Sequence, residues 1–196
     1  MTEPTETLPF LTDIQEIRRR ARKHILQGAV TPSYDGDIKI SIRLLQEALA
    51  TEIVCVLRYK SHYYKADGIH AQSVAQEFNE HAIEEQDHAE RISARIKQLG
   101  GEPNWSPEGL LSRSHSEFKG GDTLVNLIRE DLIAERIAVD SYREMIQYFD
   151  TSNDSTSRRL LEDILSKEEE HAQDLSDLLL TLEPDRKSKT EGRDAA

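Results

Sequence analysis

The sequence has little cysteine, glycine and proline, and each shortage excludes a kind of protein. Cys55 is the single cysteine among 196 residues, so no internal disulfide and no iron site with four cysteine ligands can form. The 9 glycines and 6 prolines leave long stretches free of helix breakers. No apolar run approaches the roughly 20 residues that cross a membrane, and residues 1–10 do not resemble a signal peptide. We therefore expect a cytoplasmic protein with no membrane partner.

Basic residues are also in deficit, with 25 Lys and Arg against 37 Asp and Glu, which leaves a net charge of -12. An acidic surface repels the phosphate backbone, so nucleic acid is not expected as the main partner. One basic run, at residues 18–23, includes Arg18 and Lys23. A solvated helix face or a subunit contact explains this run better than DNA binding, which stays open as an alternative.

Apolar residues recur every three or four positions in five segments, which predicts an all-α fold. A short helix at residues 13–27 precedes four long helices, at 37–65, 70–99, 123–149 and 156–182. Short links make the first two long helices antiparallel, and likewise the last two. The middle link of roughly 22 residues could span roughly 70 Å when extended. Since a 30-residue helix measures only about 45 Å, this crossover can run the length of a four-helix bundle.

The predicted organisation has three parts. Residues 1–36 are an N-terminal extension that carries one amphipathic helix. Residues 37–182 are the bundle, and residues 183–196 are a polar tail that we expect to be disordered.

An internal repeat relates the two halves of the bundle. A Glu-x-x-His motif occurs at residues 85–88 and again at residues 168–171. Glu52 precedes the first motif and Glu135 precedes the second, each by 33 residues, so that the halves are offset by 83. Residues three apart share a helix face, and each motif therefore directs Glu and His to one side.

The repeat predicts a site for two metal ions inside the bundle. One such motif alone is more often a solvated helix face, but two motifs with partners at equal spacing are strong support for ligands. Four carboxylates and two imidazoles suit iron or manganese, and four negative charges balance two divalent ions. The predicted ligands are Glu52, Glu85, His88, Glu135, Glu168 and His171.

These motifs, together with Thr51-Glu52 followed by Tyr59, and Asp131-Leu132 with Glu135, resemble the bacterioferritins of the ferritin superfamily over residues 37–182. The resemblance implies a ferritin-like ferroxidase and iron store that oxidises Fe(II) with oxygen or hydrogen peroxide. It implies two iron ions per subunit: Glu52 and His88 hold one, Glu135 and His171 hold the other, and Glu85 and Glu168 bridge them. Tyr59 would lie near the metals against a bridging carboxylate, although core packing explains it and Tyr142 as well.

The chain departs from bacterioferritins in three places, which alters the expected cofactors and assembly. Gln86 stands where the resemblance places a haem-binding methionine, so no haem is predicted. The polar tail replaces an apolar fifth helix, and an extension precedes the bundle. Both features look more like Dps-like dodecamers, so a homo-oligomer of that kind is favoured over a 24-mer. The Dps branch that keeps this type of site usually has a cysteine pair nearby, whereas this chain has Cys55 alone.

Other interpretations remain open. The alternatives to an iron store are a Dps-like protein that protects DNA, a di-iron or di-manganese peroxidase or catalase, and a bundle without metal. Glu80 and Glu84 either guide iron or are plain surface charge. No ligand partner can be identified for His81 from spacing, and Cys55 is expected to be a small buried apolar residue.

Overall fold

The computed structural model describes residues 12–69 and 71–183, and every regular element in these ranges is helical. The helices are α1 Ile14–Ala21, α2 Ile38–Lys65, α3 Ala71–Gln98, α4 Leu110–Arg113, α5 Leu124–Thr151 and α6 Ser155–Leu182, with a 3-10 turn at Ile25–Gln27. The predicted four-helix bundle with an extra N-terminal helix is confirmed, and the long helices differ from their predicted bounds by two residues or fewer. Within the described ranges, no helix has the length and apolar character needed to cross a membrane.

The long helices begin and end where local chemistry stops the backbone. The side chains of Asp37, Thr123 and Asp154 accept hydrogen bonds from backbone N–H groups two or three residues later, at 2.8, 3.2 and 2.9 Å. These caps satisfy N–H groups that have no partner within the helix. At the end of α3, Gly100 takes a φ of +84°, which favours glycine, and the N–H of Gly101 turns back to a carbonyl of the last helical turn.

The link between α3 and α5 is a crossover that runs along α2. Near the start of α2, Gln46 donates to the Glu102 carbonyl at 2.6 Å. Near its end, His62 lies 2.9 Å from the Lys119 carbonyl. The chain thus returns to the opposite end of the bundle before α5 begins, which makes α2 and α5 antiparallel. Apart from α4, the crossover is irregular, as its glycines and prolines predict.

The core contains two large apolar clusters with a polar layer between them, and a small third cluster joins the crossover to α2. Along α2 and α3, the apolar residues are interrupted by ionisable ones near the middle of the bundle. Cys55 is buried in the second cluster, as predicted. The first cluster includes Leu45, Leu49, Ile92, Ile96, Phe149 and Ile164, and the second includes Cys55, Tyr59, Phe78, Ala82, Ile128 and Leu175.

The N-terminal helix is shorter than predicted, because α1 ends at Ala21 and His24 takes a left-handed φ of 52°. Among the described residues, the apolar side chains of the predicted longer helix find little to pack against: Ile14 and Ile25 are 55% and 77% exposed. A short helix without burial is marginal in water. Residues 1–11 of the predicted extension and 184–196 of the predicted tail lie outside the described residues.

Candidate metal centre

All six predicted ligand residues meet in the polar layer at the middle of the bundle. They come from four helices, and each is at most 2% exposed. Their ligand atoms form two overlapping groups, and within each group all atoms lie within 4.8 Å of one another. Glu85 and Glu168 belong to both groups, and they are the two residues for which the resemblance implies a bridging role. The first group is Glu52, Glu85, His88 and Glu168, and the second is Glu85, Glu135, Glu168 and His171.

Both imidazoles turn the same nitrogen toward the centre. His88 places Nδ1 2.9 Å from an oxygen of Glu168 and 3.2 Å from one of Glu52. His171 places Nδ1 3.4 Å from an oxygen of Glu85. The Glu-x-x-His spacing produces this arrangement, because residues three apart on a helix project from one face.

The centre contains buried polar atoms that lack a hydrogen-bond partner among the described residues. They are both carboxylate oxygens of Glu85 and of Glu168, one oxygen of Glu135, and Nδ1 of His171. An unpaired buried polar atom is costly, so such atoms are rare in native proteins unless something binds them. Their convergence from several helices is the pattern expected of metal ligands. The chemistry of this donor set, oxygen and imidazole nitrogen, fits iron and manganese.

Without metal, three of the four buried carboxyl groups have a raised pKa, which favours their protonated form. Burial, followed by repulsion from Glu85, raises the pKa of Glu52 and of Glu168 well above the usual range of a glutamate. The same two causes raise the pKa of Glu135. Charged carboxylates this close together and out of water repel one another, and protonation relieves that repulsion.

The imidazoles and Glu85 complete this charge balance. Burial acts against the charged form of His88, but its hydrogen bond to Glu52 and the neighbouring carboxylate of Glu85 outweigh it and raise the pKa to about 10. Burial of His171 is likewise outweighed, chiefly by Glu85, which raises its pKa to about 9. Burial also opposes the charge on Glu85, yet the protons on its neighbours hold its pKa well below the usual range. Metal binding therefore has to displace protons from this centre.

Two tyrosines connect the halves of the bundle at the centre. Tyr59 donates a hydrogen bond to Glu135, and Tyr142 donates one to Glu52. The hairpin of α2 and α3 thus supports a carboxylate of the hairpin of α5 and α6, and the second hairpin supports one of the first. The expected contact of Tyr59 with a bridging carboxylate is wrong, because Glu135 belongs to only one of the two groups. Burial raises the pKa of both phenols well above the usual range, so both remain proton donors.

Glu84 supports His171 from outside the centre, a role that the sequence interpretation missed. An oxygen of Glu84 lies 2.6 Å from Nε2 of His171. When His171 binds a metal through Nδ1, its Nε2 carries a proton and can donate a hydrogen bond to Glu84. Such a carboxylate fixes the orientation of a ligating imidazole and increases its basicity. The available sequence signal was the carboxylate directly before the Glu-x-x-His motif.

A buried ion-pair network lies one helical turn from Glu135 and was not predicted either. Asp131 accepts from Nε of Arg58 at 2.8 Å, and its other oxygen lies 2.8 Å from Nδ1 of His62. Arg58 also donates to the Glu117 carbonyl at 3.0 Å. The network ties the crossover to α2 and α5. The 83-residue repeat pairs Asp131 with Ala48, which carries no charge. The buried ion-pair network therefore belongs to one half of the repeat.

The basic run and Gln86 take no part in the centre. In the basic run, Arg19 and Arg20 pair with Glu16 at 2.6 and 2.8 Å. Gln86 donates to Glu90 at 2.8 Å, along the outside of α3.

The comparisons with known proteins agree with this fold. A model of the ferritin-like domain matches residues 42–183. Bacterioferritin from Rhodobacter capsulatus is 30% identical over 69% of this chain and 80% of its own length. A nutrient stress-induced DNA-binding protein from Nostoc is also 30% identical, over 69% of this chain and 74% of its own.

A solved structure adds a relative with a described assembly. The dodecameric thioferritin of Bacteroides fragilis, a bacterioferritin-related protein, superposes with a TM-score of 0.73 at 30% identity, covering 79% of this chain and 92% of its own. The family match covers most of the sequence, including all four long helices apart from the first residues of α2. The fold and the sequence relatives agree, and the chain therefore belongs to the ferritin family of ferritin-like four-helix proteins.

Proposed function

We propose that this protein is a ferroxidase and iron store, which takes Fe(II) into the bundle and oxidises it there. The observation that carries the proposal is the buried layer of four carboxylates and two imidazoles, with several ligand atoms that have no hydrogen-bond partner among the described residues. Its membership of the ferritin family supports the same reading.

The substrate is a pair of Fe(II) ions. In each group, one glutamate and one histidine would hold an ion, while Glu85 and Glu168 would touch both ions. Each ion supplies one electron, so a pair supplies the two electrons that reduce oxygen to hydrogen peroxide, or hydrogen peroxide to water.

The protein's own residues prepare the site for this substrate. Glu52, Glu135 and Glu168 release their protons as the ions arrive, so that four negative charges meet four positive ones. Tyr59 and Tyr142 keep their protons and hold two of these carboxylates in place. Glu84 keeps His171 directed inward. The apolar clusters on both sides keep bulk water out, which strengthens the electrostatic contacts within the layer.

Storage requires an enclosed space, and we propose that copies of this chain form a cage. A dodecamer is favoured over a 24-mer, in line with the dodecameric relative from Bacteroides fragilis. No haem is included in the proposal, because Gln86 has no ligand atom suited to haem iron. A cytoplasmic location is part of the same proposal.

A second candidate is a DNA-protecting member of the family. The observation in its favour is the 30% identity to a relative described as a DNA-binding protein. The net charge of -12 opposes it. Gel retardation at low and high salt separates the two functions, since a pure iron store leaves DNA mobility unchanged at both.

The test of the ferroxidase proposal is anaerobic titration of the metal-free protein with Fe(II), followed by oxygen or hydrogen peroxide. We expect two ions per chain and oxidation much faster than in buffer. The Glu52→Ala/Glu168→Ala variant should lose both. Glu47→Ala/Glu162→Ala removes the same charges from the same two helices outside the centre, and it should behave as the parent does. Oxidation at the buffer rate in the parent would contradict the proposal, and turnover with Mn(II) alone would favour a manganese enzyme.

A further inference from the structure

Helix α1 has an apolar stripe that the described part of its own chain leaves uncovered. Ile14, Ile17 and Ala21 follow one another in steps of three and four residues, so they share one face of the helix. All three side chains are exposed. A helix this short is marginal in water, and burial of its apolar face against another surface would stabilise it.

Basic side chains border this stripe. Arg18 and Arg22 are four residues apart, which places them about 6 Å from each other along one edge of the helix. Unlike the two arginines that pair with Glu16, neither of them forms an ion pair with a carboxylate among the described residues. Residues 13–23 carry five basic side chains against two acidic ones, in a chain whose net charge is -12. The helix is therefore suited to an apolar surface with an acidic edge.

A groove between α2 and α5 has this complementary character. It has a volume of about 580 Å³, and its exposed edge on α5 carries Asp140 and Glu144, which are also four residues apart. On α2, Glu47 lies 3.8 Å from Arg43, so the charges of that wall offset each other. The apolar and aromatic residues that line the groove are Ile40, Leu44, Ile137, Met145 and Tyr148.

We propose that α1 of one chain docks into the α2–α5 groove of a second copy. The apolar stripe then covers the apolar lining, while Arg18 and Arg22 face Asp140 and Glu144. The two rows of charge match, because each consists of side chains four residues apart on a helix. Opposite charges arranged in this way fix the register of an interface and exclude wrong partners.

The occupant is a second copy because the chain holds its own α1 away from its own groove. The groove is lined by residues of α2, α5 and the crossover, and no residue of α1 is buried by the described part of the chain. Polar contacts fix the segment between α1 and α2 near the turn that joins α5 to α6. Tyr34 donates to Asp154 at 2.9 Å, and Asn153 donates to Asp35 at 3.2 Å. The extension is thus anchored at one end of the bundle, with α1 exposed beyond it.

Disulfide cross-linking between co-expressed chains tests the contact. One chain carries Ile17→Cys in the stripe together with a tag that changes its size, and the other carries Ile137→Cys in the groove. The chain's own Cys55 is buried and does not compete. The matched control replaces Ile17→Cys by Gln15→Cys, which lies at least about 100° from the stripe around the helix. The purified metal-free protein is oxidised gently and analysed on a non-reducing gel.

We expect a disulfide-linked heterodimer from Ile17→Cys with Ile137→Cys. The control should give roughly tenfold less, since cysteines whose Cα atoms stay more than about 7 Å apart cannot be bridged. No heterodimer, or equal yields from the two pairs, would overturn the proposal. A cross-link that forms only within a chain carrying both Ile17→Cys and Ile137→Cys would overturn it too, because α1 would then occupy its own groove.

Charge reversal tests the match between the two rows. Asp140→Lys/Glu144→Lys in the groove chain should lower the yield of heterodimer roughly tenfold, because like charges then face one another. Adding Arg18→Glu/Arg22→Glu to the α1 chain should restore the yield. Glu80→Lys/Asp177→Lys makes the same change of charge away from the groove and should leave the yield at the parent level. An unchanged yield after the first reversal, no recovery after the second, or equal loss in the control would contradict the proposed docking.

These measurements are independent of the proposed ferroxidase function, because they need no metal. Cross-linking in a protein that does not oxidise Fe(II) would support the docking and contradict the function. Rapid oxidation of Fe(II) in a protein without the cross-link would contradict the docking alone.

Discussion

Two adjacent glutamates on α3 perform different tasks because a helix turns by about 100° per residue. Glu85 points into the bundle, where its oxygens have no hydrogen-bond partner among the described residues. Glu84 lies at the edge of the polar layer and contacts Nε2 of His171 from outside. The two carboxylates have the same chemistry, so the direction in which each side chain points decides its role.

The contact between Glu84 and His171 leads to a prediction about metal affinity. Glu84→Ala should weaken binding of one of the two central ions about 10- to 100-fold, because His171 loses the group that orients it. Competitive titration with a metal indicator would measure the change. Glu80→Ala, which removes the same charge one turn earlier, should leave the affinity close to that of the parent. Equal weakening in both variants would mean that Glu84 acts only through surface charge.

At the scale of elements, the bundle consists of two helical hairpins joined by a long crossover. The apolar clusters hold the hairpins together, but an irregular crossover has few apolar residues to bury. Leu110 of the crossover packs against Ala50 and Val54 of α2. Polar contacts anchor it as well: the Arg58 guanidinium and the His62 imidazole reach carbonyls of the crossover, and Asp131 on α5 holds both side chains. The crossover is therefore attached to the same part of the bundle that positions Glu135.

Breaking this network should destabilise the bundle strongly. Arg58→Met leaves Asp131 buried without its main partner, which should lower the free energy of unfolding by about 3–5 kcal/mol. Urea denaturation of the metal-free protein would measure it, and hydrogen exchange should show loss of protection in the crossover. Arg91→Met removes an exposed arginine that pairs with Asp163, and it should cost about 1 kcal/mol or less. Similar losses in the two variants would contradict the anchoring role.

At the scale of the whole molecule, the metal centre links folding to pH. The metal-free native state holds extra protons, since the pKa values of His88 and His171 are about 10 and about 9, against an ordinary 6.5. An unfolded chain releases those protons near pH 6.5. The native state thus binds more protons than the unfolded state over this range, and its stability falls as pH rises.

The metal-free protein should accordingly lose thermal stability between about pH 6.5 and pH 10. The raised pKa values of Glu52, Glu135 and Glu168 act in the same direction, starting from lower pH. Metal affinity should change in the opposite sense and increase with pH, because the ions compete with the same protons. Melting curves at pH 6, 8 and 10 would measure the first effect. The decrease of melting temperature with pH should be smaller in Glu52→Ala/Glu168→Ala. A metal-free parent that is more stable at pH 10 than at pH 6 would refute this account.

The sequence alone determined the helices, the crossover and the grouping of the six candidate ligands. These features depend on local geometry: apolar spacing specifies a helix face, and the Glu-x-x-His motif specifies which side chains share it. The 83-residue repeat then showed that both hairpins direct the same residue types inward. The six candidate ligands could therefore be grouped before any tertiary contact was known. That these residues bind iron stays a prediction.

Only the tertiary structure decided which side chains meet between hairpins. His81 was given no partner by spacing, although Glu77, four residues earlier on α3, lies 3.4 Å from its Nε2. Its contacts with Tyr59 and His171 come from other helices, and no spacing along α3 indicates them. Two further contacts also join different hairpins. Tyr59 and Tyr142 each donate a hydrogen bond to a carboxylate of the opposite hairpin, and Arg58 on α2 pairs with the buried Asp131 on α5. Helix α1 is the converse case, because its apolar residues keep helical spacing and yet none of them is buried by the described part of the chain. Contacts of this kind depend on how helices are placed relative to one another, and a pattern along one helix carries no record of that placement.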